Sequence, residues 1–162
     1  MMSNRAGKYH LALIIPLAVV SAGLIGATPS AAAPEYSGAV ASPNRALTLI
    51  NQERVRAGCA SLRLVPKLQA PAERQSRDQA ARDGFGHRGA DGGTVDTRLS
   101  GLGYSRWGEN VVQAQSAHGA VNFWANSPRH RVNMLNCVFT QSGLAVARSN
   151  SGKLYWTQTF GG

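Results

Sequence analysis

Two long segments of the chain repeat apolar residues at helical spacing, and each carries start or stop signals. The first follows Ser42, whose hydroxyl can accept a first-turn N–H, and it ends at Gly58, which favours a left-handed cap. The second covers 66–82, and we predict a helix there despite Pro71 and a thin apolar face. A brief alternation at 62–64 predicts a short extended piece between them.

A third helical pattern leads into a stretch of polar side chains. Apolar residues at 117, 121 and 124 share one helix face, which Ser116 can cap. Pro128 disfavours the helical region for Ser127, so we predict that His130 emerges from a turn beside the buried aromatic Trp124. A fixed imidazole can bind a metal, shuttle a proton or orient a carboxylate. The alternative is that His130 only hydrogen-bonds the turn together.

Glycines surround two further candidate side chains in the middle of the chain. His87 follows the second helix beside Phe85 and between glycines, which leaves room for a ligand; the alternative is a loop histidine with no task. Glu109 follows Gly108 and precedes two valines, so its carboxylate is predicted to point inward, where it must find a partner.

The remaining pattern is a short helical turn followed by strands. Residues 94–100 predict the turn, and the runs 143–147 and 154–160 alternate as strands do. Turn-forming residues at 149–152 separate these runs, which predicts an antiparallel hairpin. No internal repeat is present, and a length of 162 residues predicts a single folded domain.

The N-terminal residues 1–33 have the composition of a secretory signal. A basic head with Arg5 and Lys8 precedes an apolar run at 11–27 and small residues before Pro34. We predict cleavage after Ala32 or Ala33; an uncleaved membrane anchor is the alternative. Residues 34–42 are then a short lead and 43–162 the folded domain. Both interpretations place the domain outside the cytoplasm, secreted or in the cell envelope.

The charge of the chain is strongly positive. Without residues 1–33, 15 basic and 8 acidic residues remain, a net charge of +7. Outside the membrane this charge favours cell-wall polymers or acidic lipid head groups as partners; the alternative is that it only maintains solubility. No basic run interleaved with aromatics suggests nucleic-acid binding. We expect a monomer that contacts membranes only peripherally or through an uncleaved signal.

Two cysteines, Cys59 and Cys137, lie in the exported part of the chain. They allow one intramolecular disulfide, which a chain-entropy model credits with about 4 kcal/mol of stabilisation. Two free thiols or a metal pair are the alternative, with less support because no third thiol is present.

Five motifs occur in a fixed order along the chain: Phe85-Gly86-His87, Gly108-Glu109-Asn110, Trp124 with Ser127 to Leu135, Gly143 to Ala147, and Tyr155 to Gln158 with Phe160-Gly161. In this order they resemble the CAP superfamily, which comprises the cysteine-rich secretory proteins, antigen five and the pathogenesis-related-one proteins. The likeness covers roughly residues 43–162 and is strongest to the small bacterial secreted members.

The resemblance implies an α+β fold, a three-layer α-β-α sandwich around a small antiparallel sheet, with a cleft that holds two histidines and two acidic residues. His87 and His130 match the histidines, and Glu109 matches one acid. The second acidic position is Ser127 here, which weakens any mechanism that needs two carboxylates. The same motifs imply that the cleft is supported by Asn110, Trp124, Arg129 and Asn133.

We therefore predict that His87, Glu109 and His130 converge in one pocket of a binding module for a lipid, sterol or anionic cell-envelope component. Sterol and fatty-acid binding by some relatives makes this the lead, and it requires no cofactor. The alternative is a metal-assisted, protease-like hydrolase, because two imidazoles and a carboxylate suit Zn²⁺ or another divalent cation. A serine hydrolase with Ser127 and His130 lacks the Gly-x-Ser-x-Gly elbow. We lean toward a protein without enzymatic activity.

Overall fold

The computed structural model describes residues 41–162, so the predicted signal and nearly all of the lead lie outside the described residues. The helices are α1 Pro43–Arg56, α2 Pro66–Ala81, α3 Val95–Leu99, α4 Ala117–Asn126 and α5 Pro128–Met134, with a 3₁₀ turn at Ser100–Leu102. The strands are β1 Arg63–Leu64, β2 Trp107–Gln113, β3 Gln141–Arg148 and β4 Leu154–Gly161. In this range no helix combines the length and hydrophobicity that crossing a bilayer requires.

The strands form one sheet in the order β1-β3-β4-β2. β3 and β4 form the predicted antiparallel hairpin, with Gln141 opposite Gly161 at one end and Arg148 opposite Leu154 at the other. β2 pairs antiparallel with β4, whereas the two-residue β1 runs parallel to β3. Within residues 41–162, β2 has no strand on its second side and is therefore an edge strand.

Helices cover both faces of the sheet and give a three-layer α-β-α sandwich. α1, α4 and α5 share one hydrophobic core with the sheet, in which Trp124, Trp156 and Phe160 are fully buried. α2 covers the other face, where β4 presents Thr157 and Thr159 to it. Successive β4 side chains thus alternate between an apolar core and a polar helix contact, as the two-residue strand period requires. The predicted fold class is confirmed.

The thin apolar face of α2 has a structural explanation. Gln79 is fully buried, and its Nε2 donates to Thr157 Oγ1 at 2.9 Å. β3 approaches α2 closely at Gly143, where a Cβ would overlap Leu68 O. Because helix and sheet pack at short distance through hydrogen bonds, large apolar side chains are not needed on this face.

α1 is joined to the segment after α5 in two ways. Cys59 and Cys137 form the predicted disulfide. Arg54 is fully buried, and this burial lowers the pKa of its guanidinium. The guanidinium donates four hydrogen bonds to main-chain carbonyls. Its acceptors are Ala60 O at 3.0 Å, Met134 O at 2.8 Å, Asn136 O at 3.0 Å and Phe139 O at 2.7 Å.

The prediction that His130 emerges from a turn is wrong, because His130 lies inside α5. Pro128 does hold Ser127 in an extended conformation, with φ −94° and ψ 116°. The proline then occupies the first turn of a new helix, where its fixed φ is favourable and its missing N–H costs nothing. One proline therefore separates α4 from α5 and starts the second of them.

Candidate functional site

Glu109 lies on β2 with its side chain completely buried. Arg98 Nη2 donates to its carboxylate, at 2.7 Å to Oε1 and 2.8 Å to Oε2. His87 Nδ1 lies 3.0 Å from Oε1. The carboxylate thus points inward and has partners, as the sequence predicts. Because an isolated buried carboxylate is very unfavourable, Arg98 provides the partner that Glu109 needs there.

Arg98 completes the site, although no pattern in the sequence singles it out. It lies in α3, within the helical turn predicted at 94–100. Its Nη2 also donates to His87 O at 2.7 Å, and its Nη1 donates to Gly93 O at 3.2 Å. The available signal is Glu109 itself, since a buried carboxylate needs a cation. Nothing in the pattern says which basic residue provides it.

His87 lies in the loop after α2, and 51% of its side chain is exposed. Side chains of α2 and α3 fix this loop: Gln75 Nε2 donates to Gly86 O at 2.7 Å, Gln79 Oε1 accepts from Gly86 N at 3.3 Å, and Arg98 donates to the His87 carbonyl. With Nδ1 directed at Glu109, Nε2 is the ring nitrogen that has no hydrogen-bond partner within residues 41–162. A histidine whose Nδ1–H is held by a carboxylate presents the lone pair of Nε2 in a fixed direction.

His130 is paired with a hydroxyl instead of a carboxylate. Its Nδ1 lies 2.7 Å from Ser127 Oγ, and the Phe123 ring lies 5.3 Å away between centroids. Partial burial lowers the pKa of His130, and the neighbouring His87 imidazole lowers it further, which favours the neutral form of the His130 ring. The aromatic ring in contact with His130 is that of Phe123, which is 44% exposed, while Trp124 is buried as predicted.

The candidate side chains form two pairs, His87 with Glu109 and His130 with Ser127. Consecutive side chains of β2 point to opposite faces, so Glu109 faces α3 whereas Asn110 faces α5. Asn110 Nδ2 donates to His130 O at 3.0 Å, which fixes α5 on that face. No hydrogen bond joins Glu109 to His130 in the described residues. The pairs are coupled through charge, since His87 acts on the pKa of His130.

The residues predicted to support the cleft have different environments. Asn133 Nδ2 donates to Glu109 O at 3.2 Å and to Asn110 Oδ1 at 3.0 Å, which holds α5 against β2. Trp124 packs in the core, and its indole N–H has no partner within residues 41–162. Arg129 lies at the start of α5, where its side chain is exposed and is not part of the core.

The predicted three-ligand metal set of His87, Glu109 and His130 meets an obstacle at Glu109. Arg98 occupies both oxygens of Glu109, so a metal would have to displace the guanidinium to reach them. In the part of the chain that the structure describes, no three His, Cys, Asp or Glu side chains gather into a metal-binding group. The His87–Glu109 pair nevertheless has the arrangement that orients metal-binding histidines. Glu109 is thus placed to orient His87 and is not itself open to a ligand.

The fold, the ordered motifs and the two histidines define one class of protein. The model of CAP, the cysteine-rich secretory protein family, matches residues 47–160, which is most of the chain. The chain belongs to this family. The resemblance found in the sequence motifs is thereby confirmed.

Known bacterial proteins are similar to this chain. YkwD of Bacillus subtilis (strain 168) is 33% identical over 119 residues, which cover 72% of the chain and 45% of YkwD. An extracellular protein of Bacillus anthracis str. Ames that contains an SCP domain has a TM-score of 0.62 at 29% identity, covering 73% of the chain and 39% of that protein. The chain thus spans less than half the length of either.

A likeness to a more distant protein shows the shared fold alone. An outer surface protein of Borrelia burgdorferi has a TM-score of 0.65 at 18% identity. The match covers 71% of this chain and 87% of the Borrelia protein, so nearly all of the latter corresponds to the sandwich described here.

Proposed function

We propose that the chain is a secreted ligand-binding module in which His87 and His130 contact the ligand. One observation carries this proposal: Glu109 is completely buried, and Arg98 occupies both of its oxygens. A general base must reach a proton on its substrate, and a carboxylate held in this way does not. Glu109 therefore orients His87, and the imidazoles supply the contacts with the ligand.

Export is supported by two features of the chain. Residues 1–33 have the pattern of a secretory signal, and the Cys59–Cys137 disulfide suits an oxidising compartment. The similar Bacillus anthracis protein is described as extracellular. We expect the mature chain, as a monomer, in the extracellular space or the cell envelope.

The surface next to the imidazoles suits a ligand with an apolar and a polar part. Phe123 contacts His130, and Phe85, two residues before His87, is 59% exposed. Exposed large aromatic rings beside polar groups mark binding surfaces in soluble proteins. The net charge of +7 without residues 1–33 favours a negative polar part. We propose a lipid as the ligand, with a sterol or another anionic cell-envelope component as the alternatives.

A divalent cation is an auxiliary group in this proposal and not a requirement. His87 and His130 would hold it through their Nε2 atoms, and it would add positive charge toward an anionic head group. Two protein ligands are fewer than the three that catalytic zinc sites provide, so we expect weak and reversible binding.

The test is analysis of the protein purified from its own host. Organic extraction and mass spectrometry identify copurified lipid, and elemental analysis identifies metal. Vesicles of phosphatidylglycerol and of phosphatidylcholine, each with and without Zn²⁺, then measure binding directly. We expect stronger binding to the anionic vesicles and its loss in His87→Ala and in His130→Ala. His118→Ala, a change of an exposed histidine on α4, is the matched control and should bind normally.

The hydrolase alternative predicts a different set of results. It requires turnover of a lipid ester or a peptide that chelation and His130→Ala both abolish. Such turnover would overturn the binding proposal, even if lipid copurified with the protein. Equal binding of the wild type and both histidine variants to every vesicle would also contradict it, because the imidazoles would then have no contact with the ligand.

A further inference from the structure

A cavity of about 220 Å³ lies between α2, the loop that follows His87 and α3. The side chains that line it include Arg74, Gln75, Asp78, Asp91 and Arg98. Small-molecule sites in proteins occupy roughly 300–1,000 Å³, so this smaller cavity suits a compact polar group. The ligand contacts proposed for the two histidines do not involve it.

Hydrogen bonds within the loop and to α2 give the cavity a fixed wall. Asp78 Oδ1 accepts from Ala90 N at 3.1 Å, and Asp91 Oδ1 accepts from Gly93 N at 2.8 Å. Gly89 N donates to Gly93 O at 2.8 Å, which closes the loop on itself. A Cβ at Gly89 would lie 2.6 Å from Asp91 Oδ1, so the glycine lets this carboxylate lie against the loop. Both carboxylates are therefore positioned before a ligand arrives, which lowers the cost of binding.

Two buried side chains of the cavity wall have polar atoms without a hydrogen-bond partner. Gln75 is 1% exposed; its Nε2 donates to Gly86 O, and its Oε1 accepts no hydrogen bond within residues 41–162. The Arg98 side chain is 6% exposed, and its Nε is likewise without a partner in that range. Buried polar groups are nearly always hydrogen-bonded, so an unused acceptor and an unused donor beside one cavity indicate a polar occupant.

A cation and an anion that have no ion-pair partner lie at the same cavity. The more buried Arg98 and Asp78 are each paired with another residue. Arg74 and Asp91 are exposed, and within residues 41–162 they form no salt bridge, either with each other or with a third residue. Because these two opposite charges line one cavity without pairing directly, a molecule that carries both charges can bridge them.

We propose that this cavity binds an α-amino acid group, with its ammonium against Asp91 and Gln75 Oε1 and its carboxylate against Arg74. A guanidinium matches a carboxylate through two parallel hydrogen bonds, and an ammonium has three N–H donors for carboxylate and amide oxygens. An anion alone would leave Asp91 unpaired, and an amine alone would leave Arg74 unpaired. A metal ion would lie beside two guanidinium groups, which repel it. The site is separate from the one in the proposed function and does not rest on it.

Nuclear magnetic resonance gives a direct test on the mature, full-length domain. The main-chain amides of Ala90 and Gly93 donate to the two cavity carboxylates, so their ¹H–¹⁵N signals report on the cavity. We expect millimolar alanine to shift both signals in a saturable way. Propionate lacks the ammonium and ethylamine lacks the carboxylate. Each should bind about tenfold more weakly than alanine at the same pH and salt, because each loses one set of charge-assisted hydrogen bonds.

Two tripeptides distinguish a free amino acid from one that an envelope peptide carries. The peptide L-Ala-γ-D-Glu-meso-diaminopimelate has a free α-amino acid group at the end of its last side chain, and the same peptide with lysine has only an ammonium there. If the first binds at least as tightly as alanine and the second about tenfold more weakly, the ligand is peptide-borne. If both bind more weakly than alanine, the ligand is a free amino acid. Tight binding of the lysine peptide would contradict the proposal, because the carboxylate would then be unnecessary.

Three variants separate the two charges of the site. Arg74→Gln should weaken alanine binding about tenfold and should not weaken that of ethylamine. Asp91→Asn keeps an acceptor for Gly93 N but removes the charge, so it should weaken alanine binding by a similar factor and not that of propionate. Arg77→Gln changes another exposed arginine of α2 and is the matched control, with wild-type binding expected. Circular dichroism and thermal unfolding verify that each variant is folded.

Several outcomes would overturn the proposal. Absence of a saturable shift with millimolar alanine would mean that only water occupies the cavity. Equal affinity for alanine and ethylamine, or wild-type affinity in both Arg74→Gln and Asp91→Asn, would also contradict it. His130→Ala should keep wild-type alanine binding even though it loses the vesicle binding proposed above; loss of alanine binding there would show that the two sites are one. Failure of either proposal therefore leaves the other intact.

Discussion

Two arginines, Arg54 and Arg98, are buried in this domain, and they are satisfied in different ways. Arg54 is fully buried, uses all three of its side-chain nitrogens and finds only main-chain carbonyls. The Arg98 side chain is 6% exposed, and its principal acceptor is the carboxylate of Glu109. Arg98 Nη2 is shared among three acceptor atoms, while its Nε has no partner within residues 41–162. The hydrogen-bonding capacity of the Arg54 guanidinium is thus used at every nitrogen, whereas that of Arg98 is not.

The difference separates a structural role from a functional one. Carbonyl acceptors do not titrate, so Arg54 fixes the junction beside the disulfide at any pH that leaves the fold intact. The Arg98–Glu109 pair instead touches the half-exposed His87, so charge or ligand at that imidazole acts on the pair. We therefore expect changes at Arg54 to affect stability alone and changes at Arg98 to affect both stability and binding.

The largest effect is expected for Arg54→Met, which keeps the apolar stem and removes the guanidinium. Four carbonyls then lose their donor inside the protein, and we expect the free energy of unfolding to fall by about 3–5 kcal/mol. Urea denaturation with the disulfide intact measures this. Arg56→Gln, an exposed position on the same helix, is the control, with an expected change within about 0.5 kcal/mol. A loss below about 1 kcal/mol in Arg54→Met would mean that water replaces the guanidinium.

A smaller loss of stability, about 3 kcal/mol, is expected for Arg98→Met, because Glu109 is then buried without its main cation while His87 still contacts it. The double variant Arg98→Met/Glu109→Gln removes the unpaired charge and should be more stable than Arg98→Met alone. Denaturation of both singles and the double gives the coupling energy. If the two losses simply add, the ion pair does not stabilise Glu109 and the comparison with Arg54 fails. Vesicle binding should drop in Arg98→Met and not in Arg54→Met.

Local signals made most of the helices and the hairpin predictable. Ser116 caps α4 by accepting from Gly119 N at 3.0 Å, and Gly58 has the expected positive φ of 80°. The failure at His130 has a local cause as well. Pro128 ends one helix and starts the next, and the pattern of a breaker cannot be distinguished from that of a first-turn proline when α5 has only seven residues.

The site residues that belong to the sequence motifs were predictable, but the contacts that support them were not. His87 and Glu109 were both predicted because each lies in one of the motifs, and the structure brings them into contact. Arg98 lies in a five-residue helix with no signal of its own. Arg54 has only main-chain acceptors. Because every residue has a main-chain carbonyl, the sequence does not indicate which of them accept from Arg54. Contacts between distant segments depend on the tertiary fold, so they follow from the coordinates and not from periodicity.

An intermediate loss of stability is expected for Ser127→Ala, which changes the hydrogen bond to the second histidine of the site, His130. Ser42 and Ser116 cap their helices through backbone N–H groups, whereas Ser127 hydrogen-bonds His130 and leaves its own helix uncapped. We expect a stability loss of about 1 kcal/mol, that of one hydrogen bond. The ¹⁵N shifts of the His130 ring should change from one tautomer to a mixture, while those of His118 stay the same. A single unchanged tautomer in Ser127→Ala would show that another group orients His130.

The smallest effect at neutral pH is expected at an exposed cluster, where solvent screens the charges that burial strengthens around Arg98. Asp83 accepts hydrogen bonds from Lys153 Nζ at 2.8 Å, Ser151 Oγ at 2.9 Å and Tyr155 OH at 3.0 Å. The hydrogen bond from Lys153, followed by those from the serines, holds the pKa of Asp83 well below its ordinary range. The folded state therefore binds fewer protons here than the unfolded chain does below about pH 4.

The stabilisation by Asp83 is consequently present above about pH 4 and is lost as the pH falls toward the lower pKa of the folded state. Asp83→Asn removes this proton uptake but keeps the positive φ of 50°, which asparagine also tolerates. We expect the melting temperature of the wild type to fall more steeply with acid than that of the variant, and the two curves to converge. Parallel curves between about pH 2 and pH 4 would contradict this. Exposure would then cancel the ionic contribution altogether, and burial would be the condition for any arginine or lysine to stabilise a carboxylate in this domain.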